Sequence, residues 1–533
     1  MPIGHSFPKL VAIRLLAFFL DAIPFSAAVF TAVQLYYLVA TPSYIQHVTL
    51  RQAFGAEPNT LKGRILDLLP AYFCMEVAFL VYFYTQHKRL QKPVVPPTFS
   101  DAERGAHFFK VLDSSSQKFE EFFSGWFYWT ATRKQLSTSE MHLIRKDNFR
   151  DWIAWSFFSA PNYETLRNDP RKSHLADELD GYISDMEIAQ NIKIQPGRNR
   201  DITALILQYN PVEATPKPLI LYLIIWSLES CGLLLMSVMG FSKVSPEQRP
   251  YQDSSKTRCL NYWVFKPKKA DASMDRLPIV FFHGIGCGLF PYLHFIFALL
   301  HQAKFSRPMF VVELPHVAMR LVDHVPSMEQ TISEVETMLD VHGYAKAHII
   351  GHSLGTTVSS WMIKYSKYAA SCVLLDPVVF LYLFPALAFN FVHRVPGLNT
   401  PSMKANEYLL HWLCSRELHT HHSISRHFFW TQNVLWPEKL PENHHIYIAK
   451  QDFLFDGHMV ADYLAENNVS HDALDVGHAG FLLSPRVMMD IVHRIGSVCE
   501  QGEAKVKAER EKETTVSKSL MGSKKQVRSR RRS

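Results

Sequence analysis

From His348 to Ser360 the chain reads HIIGHSLGTTVSS, in which Gly351, Ser353 and Gly355 have the spacing G-x-S-x-G. An apolar run, AHII, precedes the turn, and a helix-compatible stretch, GTTVSSWMIKYSKY (355–368), follows it. A serine on a tight strand-to-helix turn is thrust above the sheet edge, where its hydroxyl can attack a carbonyl. The turn packs backbone closely, so the residues two before and two after the serine must be small. A serine hydroxyl is a weak nucleophile by itself. It needs a base within hydrogen-bond reach, an acid that orients the base, and N–H donors for the oxyanion that forms on attack.

The elements around this turn must position those partners. Short apolar runs occur at 277–284 (LPIVFFHG), 307–315 (RPMFVVELP), 345–353 (AKAHIIGHS), 370–377 (ASCVLLDP) and 444–452 (HHIYIAKQD). Helical stretches such as SMEQTISEVETMLDVHG (327–343) separate most of them. Buried parallel strands alternating with helices predict an α/β domain with helices on both faces of the sheet.

With this turn and these strands, residues 259–500 resemble the α/β-hydrolase superfamily. The resemblance implies a Ser-acid-His triad in that chain order. It places the acid after a late strand, and Asp452 ends HHIYIAKQD there; Asp376, in LLDP, and Asp456 are the alternatives. It places the base near the end of the domain, and His478 in DVGHAGFLL (475–483) has that setting, before a final helix expected over 484–498. His352, inside the turn, reads as a packing neighbour. One oxyanion donor should be the backbone N–H of Leu354. The other should lie in the glycine loop after VFFHGIGCG, where His283-Gly284 is similar to the family's HG pair and Ile285 is the candidate donor.

Between two of the strands lies an insertion, 378–443, that begins VVFLYLFPALAFNFVHRVPG. It falls where the family commonly carries a cap, and its apolar, aromatic character points to a hydrophobic acyl substrate. It also contains ELHTHHSISRH (417–427). His419, His421, His422 and His427 lack the HExxH spacing and accompanying cysteine pairs of metal sites, and they read as a polar surface turn or a cap–body contact. No metal or organic cofactor is expected.

The region before the strands differs. Residues 1–95 read as a membrane anchor with spans at about 20–41 and 65–86, and residues 218–241 as a third candidate span. The first apolar stretch is too long for a cleaved signal peptide. Asp67 and Glu76 in the second stretch and Glu229 in the third need a reason, because a carboxylate in lipid is costly. Residues 96–217 read as an amphipathic helical region; 146–160 has a mainly apolar helical stripe at 149, 152, 153, 156 and 157, with Ser156 its one polar member. Residues 242–258 read as a linker.

The net charge of +7 sits in the tail: residues 501–533 hold 11 Lys/Arg and four Glu, and the first 500 residues balance at 45 of each sign. The tail reads as basic and disordered, suited to an anionic membrane face, and the neutral body gives no ground for a nucleic-acid partner. Seven cysteines without CxxC spacing favour a reducing compartment. Lys88, Arg89 and Lys92 argue for a cytoplasmic 88–217 segment, which with a third span would send the hydrolase-like part to the lumen. The cysteines and the tail argue for the cytosol. The expectation is an integral protein of an intracellular membrane such as the endoplasmic reticulum, its hydrolase-like domain cytosolic. The expected chemistry is ester hydrolysis. Acyl transfer by the same triad and an inactive membrane-tethered binding fold are the alternatives.

Overall fold

Valine, isoleucine and phenylalanine dominate the apolar runs, and such residues suit strands covered on both faces. The computed structural model describes residues 7–40, 54–245, 260–267, 276–400 and 403–530. The chain divides into two compact units: Met1–Ser230 with Pro315–Val325 and Leu383–Trp430, and Cys231–Leu314 with Pro326–Tyr382 and Thr431–Ser533.

The first unit is mainly helical. Among the described residues, three helices are long and apolar enough to cross a membrane: Phe7–Ala40, Leu61–Arg89 and Leu219–Val238, the last of which continues past Ser230 into the second unit. The first begins well before residue 20, because Lys9, Arg14 and Asp21 do not interrupt a helix. Glu76 has its reason: both of its oxygens accept the Leu219 N–H at 3.0 Å, and the Tyr72 hydroxyl donates to it at 2.6 Å. It thus caps the first turn of the third apolar helix, where the macrodipole favours negative charge. Glu229 meets Arg320 at 2.5 Å.

Helix Lys146–Phe158 buries all five residues of the expected stripe, and Trp155 and Phe158 with them. The helical reading of 96–217 misses one feature. Strands β1 (Phe127–Trp129) and β2 (Ile202–Ala204) form an antiparallel pair, set by short aromatic and β-branched runs too brief to show a period. The histidine-rich segment is also not a surface turn. It is a buried helix, Leu418–His427, capped by Glu417. His421 Nδ1 donates to Ser415 C=O at 2.7 Å, and its Nε2 accepts the Glu213 N–H at 3.0 Å.

The second unit holds an eight-stranded sheet: β3 (Phe241–Val244), β4 (Tyr262–Phe265), β5 (Ile279–Phe282), β6 (Met309–Val312), β7 (Ala347–His352), β8 (Ala369–Leu375), β9 (His444–Ala449) and β10 (His471–Leu474). Their order across the sheet is β3-β4-β6-β5-β7-β8-β9-β10. β4 pairs antiparallel with both neighbours, and every pairing from β6 to β10 is parallel. The five expected strands are β5 to β9. The expected linker is corrected at its start, where Phe241–Val244 pairs with β4 as an edge strand; residues 246–258 of it lie outside the described residues.

The final helix runs Pro485–Arg530, far beyond 498, so the expectation of a disordered tail from 501 is corrected. The physical reason is partly composition, since Glu, Ala, Lys and Arg favour helix. It is also local packing. Glu503 pairs with Arg307 and accepts the Leu277 N–H at 2.8 Å, and Val506 is buried.

Candidate active site

The site forms at the carboxyl ends of β5, β7, β8, β9 and β10, all in the second unit. Ser353 follows β7 with φ at +53°, in the left-handed region, which costs a non-glycine residue roughly 1–3 kcal/mol. The turn is held by Ser353 N–H donating to Leu375 C=O at 2.9 Å and by the Thr356 hydroxyl donating to Ser353 C=O at 2.6 Å. The flanking glycines are there for space. A Cβ on Gly355 would lie 2.2 Å from Phe282 O, and one on Gly351 would lie 2.3 Å from Ser359 Oγ and 2.7 Å from Gly355 O.

Ser353 Oγ lies 2.8 Å from His478 Nε2, and His478 Nδ1 lies 2.5 Å from Asp452 Oδ2. The three expected residues are therefore brought together although 99 and 26 positions separate neighbours in the chain. Asp452 is fully buried, and its other oxygen, Oδ1, accepts the Leu454 N–H at 2.8 Å. Burial raises its carboxyl above the usual range, against the pull of His478. Burial of His478 works against a charged ring, but the Asp452 carboxylate outweighs it and holds the imidazole above its ordinary value.

The glycine loop after β5 lies against Ser353: a Cβ on Gly284 would fall 2.8 Å from Ser353 Cβ. His283 anchors this loop. Its Nδ1 donates to Gly284 C=O at 2.8 Å and its Nε2 accepts the Leu314 N–H at 2.9 Å. Burial lowers its pKa to about 4, so the ring is neutral, as that bonding pattern requires. Among the described residues no protein acceptor takes the N–H of Leu354 or of Ile285, the two expected oxyanion donors.

The alternative acids lie elsewhere. Asp456 caps helix Gly457–Glu466, accepting the His458 and Met459 N–H groups. Asp376, with φ at +44°, makes no hydrogen bond to the His478 ring among the described residues: its Oδ2 accepts the Ala479 N–H at 2.6 Å and lies 3.4 Å from His352 Nε2. Two residues were misjudged or missed in the sequence. His352 is not mere packing, since its Nδ1 accepts from the Tyr292 hydroxyl at 2.7 Å. Tyr292, ten residues past β5, carries no motif that would have drawn attention to it. It also accepts the Gly284 N–H at 3.0 Å.

No protein-family profile matches this sequence, and no curated protein matches it. Solved structures do match. Naproxen esterase from Bacillus subtilis is 13% identical with a TM-score of 0.35, covering 51% of this chain and 96% of its own. Carboxylesterase CesB, also from B. subtilis, is 12% identical with a TM-score of 0.34, covering 51% of this chain and 97% of its own. A bacterial membrane phospholipase A is 14% identical with a TM-score of 0.33, covering 52% of this chain and 94% of its own. Likeness at that level adds nothing to what the sheet itself shows. Its strands, numbered within the sheet, run 1-2-4-3-5-6-7-8 with only the second antiparallel, and a G-x-S-x-G turn joins the fifth to its helix. This strand order, with the serine turn after the fifth strand, is that of the α/β-hydrolase fold.

Proposed function

We propose that the chain is a membrane-held serine hydrolase that cleaves an ester of a lipid or another hydrophobic acyl group. The observation that carries this reading is the continuous path Asp452–His478–Ser353, with contacts of 2.5 and 2.8 Å. Asp452 fixes the imidazole with its proton on Nδ1, which leaves Nε2 free to take the Ser353 proton as Oγ attacks the acyl carbonyl. The N–H groups of Leu354 and Ile285 receive the oxyanion, and their having no acceptor among the described residues supports that role. His478 returns the proton to the leaving alcohol, and water resolves the acyl-enzyme.

The three apolar helices among the described residues support attachment to a bilayer, and with it a hydrophobic substrate. The test is labelling of the full chain, in detergent, with a fluorophosphonate probe beside Ser353→Ala. Labelling of the parent and loss of it in the variant are expected; absence of Ser353-dependent labelling refutes the reading. A series of p-nitrophenyl esters graded in chain length then tests the substrate class. A preference for acetate over longer acyl groups refutes the hydrophobic assignment.

A further inference from the structure

Beside the proposed triad runs a second buried hydrogen-bonded path that the proposed mechanism does not use. The Gly284 N–H donates to Tyr292 Oη at 3.0 Å; the Tyr292 O–H donates to His352 Nδ1 at 2.7 Å; His352 Nε2 faces Asp376 Oδ2 at 3.4 Å; and the same oxygen accepts the Ala479 N–H at 2.6 Å. The directions are mutually consistent. Tyr292 accepts from the glycine N–H and so has one proton to give, which requires His352 to be neutral with its proton on Nε2, facing the carboxylate. Burial holds His352 below its ordinary pKa, in keeping with that state. Tyr292, His352 and Asp376 are each at most 4% exposed.

The ends of the path are what give it meaning. Gly284 precedes Ile285, and Ala479 follows His478. The middle of the path, His352, precedes Ser353. The path therefore touches the backbone beside the nucleophile, beside the base and beside one oxyanion donor. We propose that Tyr292, His352 and Asp376 are positioning residues that tie the glycine loop and the His478 loop to the serine turn as one hydrogen-bonded unit. This proposal rests on the serine-hydrolase reading. Tyr292 has a further consequence: by consuming the Gly284 N–H it leaves Ile285 as the loop's donor toward the oxyanion.

The unit also puts a second carboxylate near the base. The groups that face His478 are Asp452 on Nδ1, Ser353 on Nε2, the neutral His352 ring at 5.5 Å, the Phe453 ring at 6.0 Å, and Asp376, through Ala479. Burial pushes the Asp376 carboxyl up, but the His352 hydrogen bond and the charge of a protonated His478 outweigh it and hold the carboxyl below its ordinary value. Its charge adds to that of Asp452 in favouring protonated His478.

The experiment measures turnover of a p-nitrophenyl ester across pH for the full chain in detergent, with sites counted by the end point of fluorophosphonate labelling. Tyr292→Phe removes one oxygen and frees the Gly284 N–H. It should lower kcat per labelled site about ten- to a hundredfold with KM unchanged, because a displaced donor acts on the transition state more than on substrate binding. Asp376→Asn should also lower kcat, and should move the acidic limb of kcat/KM to lower pH. The sign follows from the charge: with one anion fewer beside it, His478 deprotonates more readily and stays active further into acid. A merely structural role would reduce the number of labelled sites and leave the limb in place. Tyr292→Phe turning over at the parent's rate per site, or an unmoved limb in Asp376→Asn, overturns the proposal. If Asp376→Asn does not accumulate as folded protein, Tyr292→Phe decides alone. Failure of the parent chain to label at Ser353 refutes the hydrolase reading instead, so the two failures are distinct.

Discussion

Replacing Asp452 by Asn tests the orientation of the base most sharply, because the structure dictates which way the amide must turn. Oδ1 of Asp452 accepts the Leu454 N–H at 2.8 Å, and Oδ2 faces His478 Nδ1 at 2.5 Å. An asparagine that keeps the first bond must leave its oxygen on Leu454, since an amide nitrogen cannot accept. Its NH2 then points at Nδ1. That nitrogen becomes an acceptor, the ring proton moves to Nε2, and Nε2–H faces Ser353 Oγ with no lone pair to take a proton. The shape of the site is conserved while the tautomer is wrong. A triad with its acid changed in this way loses about four orders of magnitude in kcat, or about 5.5 kcal/mol of barrier stabilisation. Stopped-assay turnover of a p-nitrophenyl ester, normalised to folded protein by circular dichroism, measures this, with KM expected to stay close to the parent's. A loss of less than tenfold would refute the orienting role. A loss of that small size together with a collapse in Asp376→Asn would move the role to Asp376.

Three further outcomes follow from the packing. Gly355→Ala puts a Cβ 2.2 Å from Phe282 O, a backbone atom that cannot step aside, so chemical unfolding should show a loss of about 1–3 kcal/mol or more and labelling at Ser353 should slow. Glu76→Ala leaves the Leu219 N–H without its carboxylate partner, and the thermal midpoint in detergent should fall by the equivalent of about 1–3 kcal/mol, with Glu76→Gln losing less. Glu503 is held at about 2 by Arg307 and His348 against its burial, well under the usual 4.5. Its folded pKa is depressed, so its contribution is present in full above pH 4.5 and is lost as pH falls toward 2. Thermal midpoints taken across that window should drop less steeply in Glu503→Gln than in the parent.

What was legible in the sequence was what is local. Ser353 announces itself because its turn needs Gly351 and Gly355 within two residues on either side, and the cause is a clash that the structure measures at 2.2–2.3 Å. The strands β5 to β9 were legible because each carries a short run of apolar, mostly β-branched or aromatic residues. The edge strands were not: β3 reads FSKV, with its middle two residues exposed, and β10 reads HDAL, partly exposed throughout, so neither has the apolar continuity of a buried strand. The tail misled because charge density is read as disorder, whereas its Glu, Ala, Lys and Arg favour helix and Glu503 and Val506 anchor its first turns. Glu76 was legible as an anomaly but not as a cap, since its partner lies 143 residues away. Tyr292 had no signal at all: an aromatic after a glycine loop is ordinary, and only the fold brings its hydroxyl to His352, 60 residues on.

The choice between Asp452 and Asp376 shows where sequence reasoning stops and geometry begins. Both follow a strand of the same sheet, both hydrogen-bond to the His478–Ala479 segment, and both side chains are buried. Position along the chain cannot separate them. Direction does. Asp452 meets a ring nitrogen of His478, so in the proposed mechanism it sets which tautomer the base adopts; Asp376 meets the next residue's backbone N–H, so in the proposed hydrogen-bonded unit it sets where the base stands. The first role requires a charge on one atom of the ring and tolerates no amide. The second needs only an acceptor, and its charge is felt at a distance. A substitution to Asn is therefore expected to abolish turnover at one position and to retune its pH dependence at the other, although the same atom is exchanged in both.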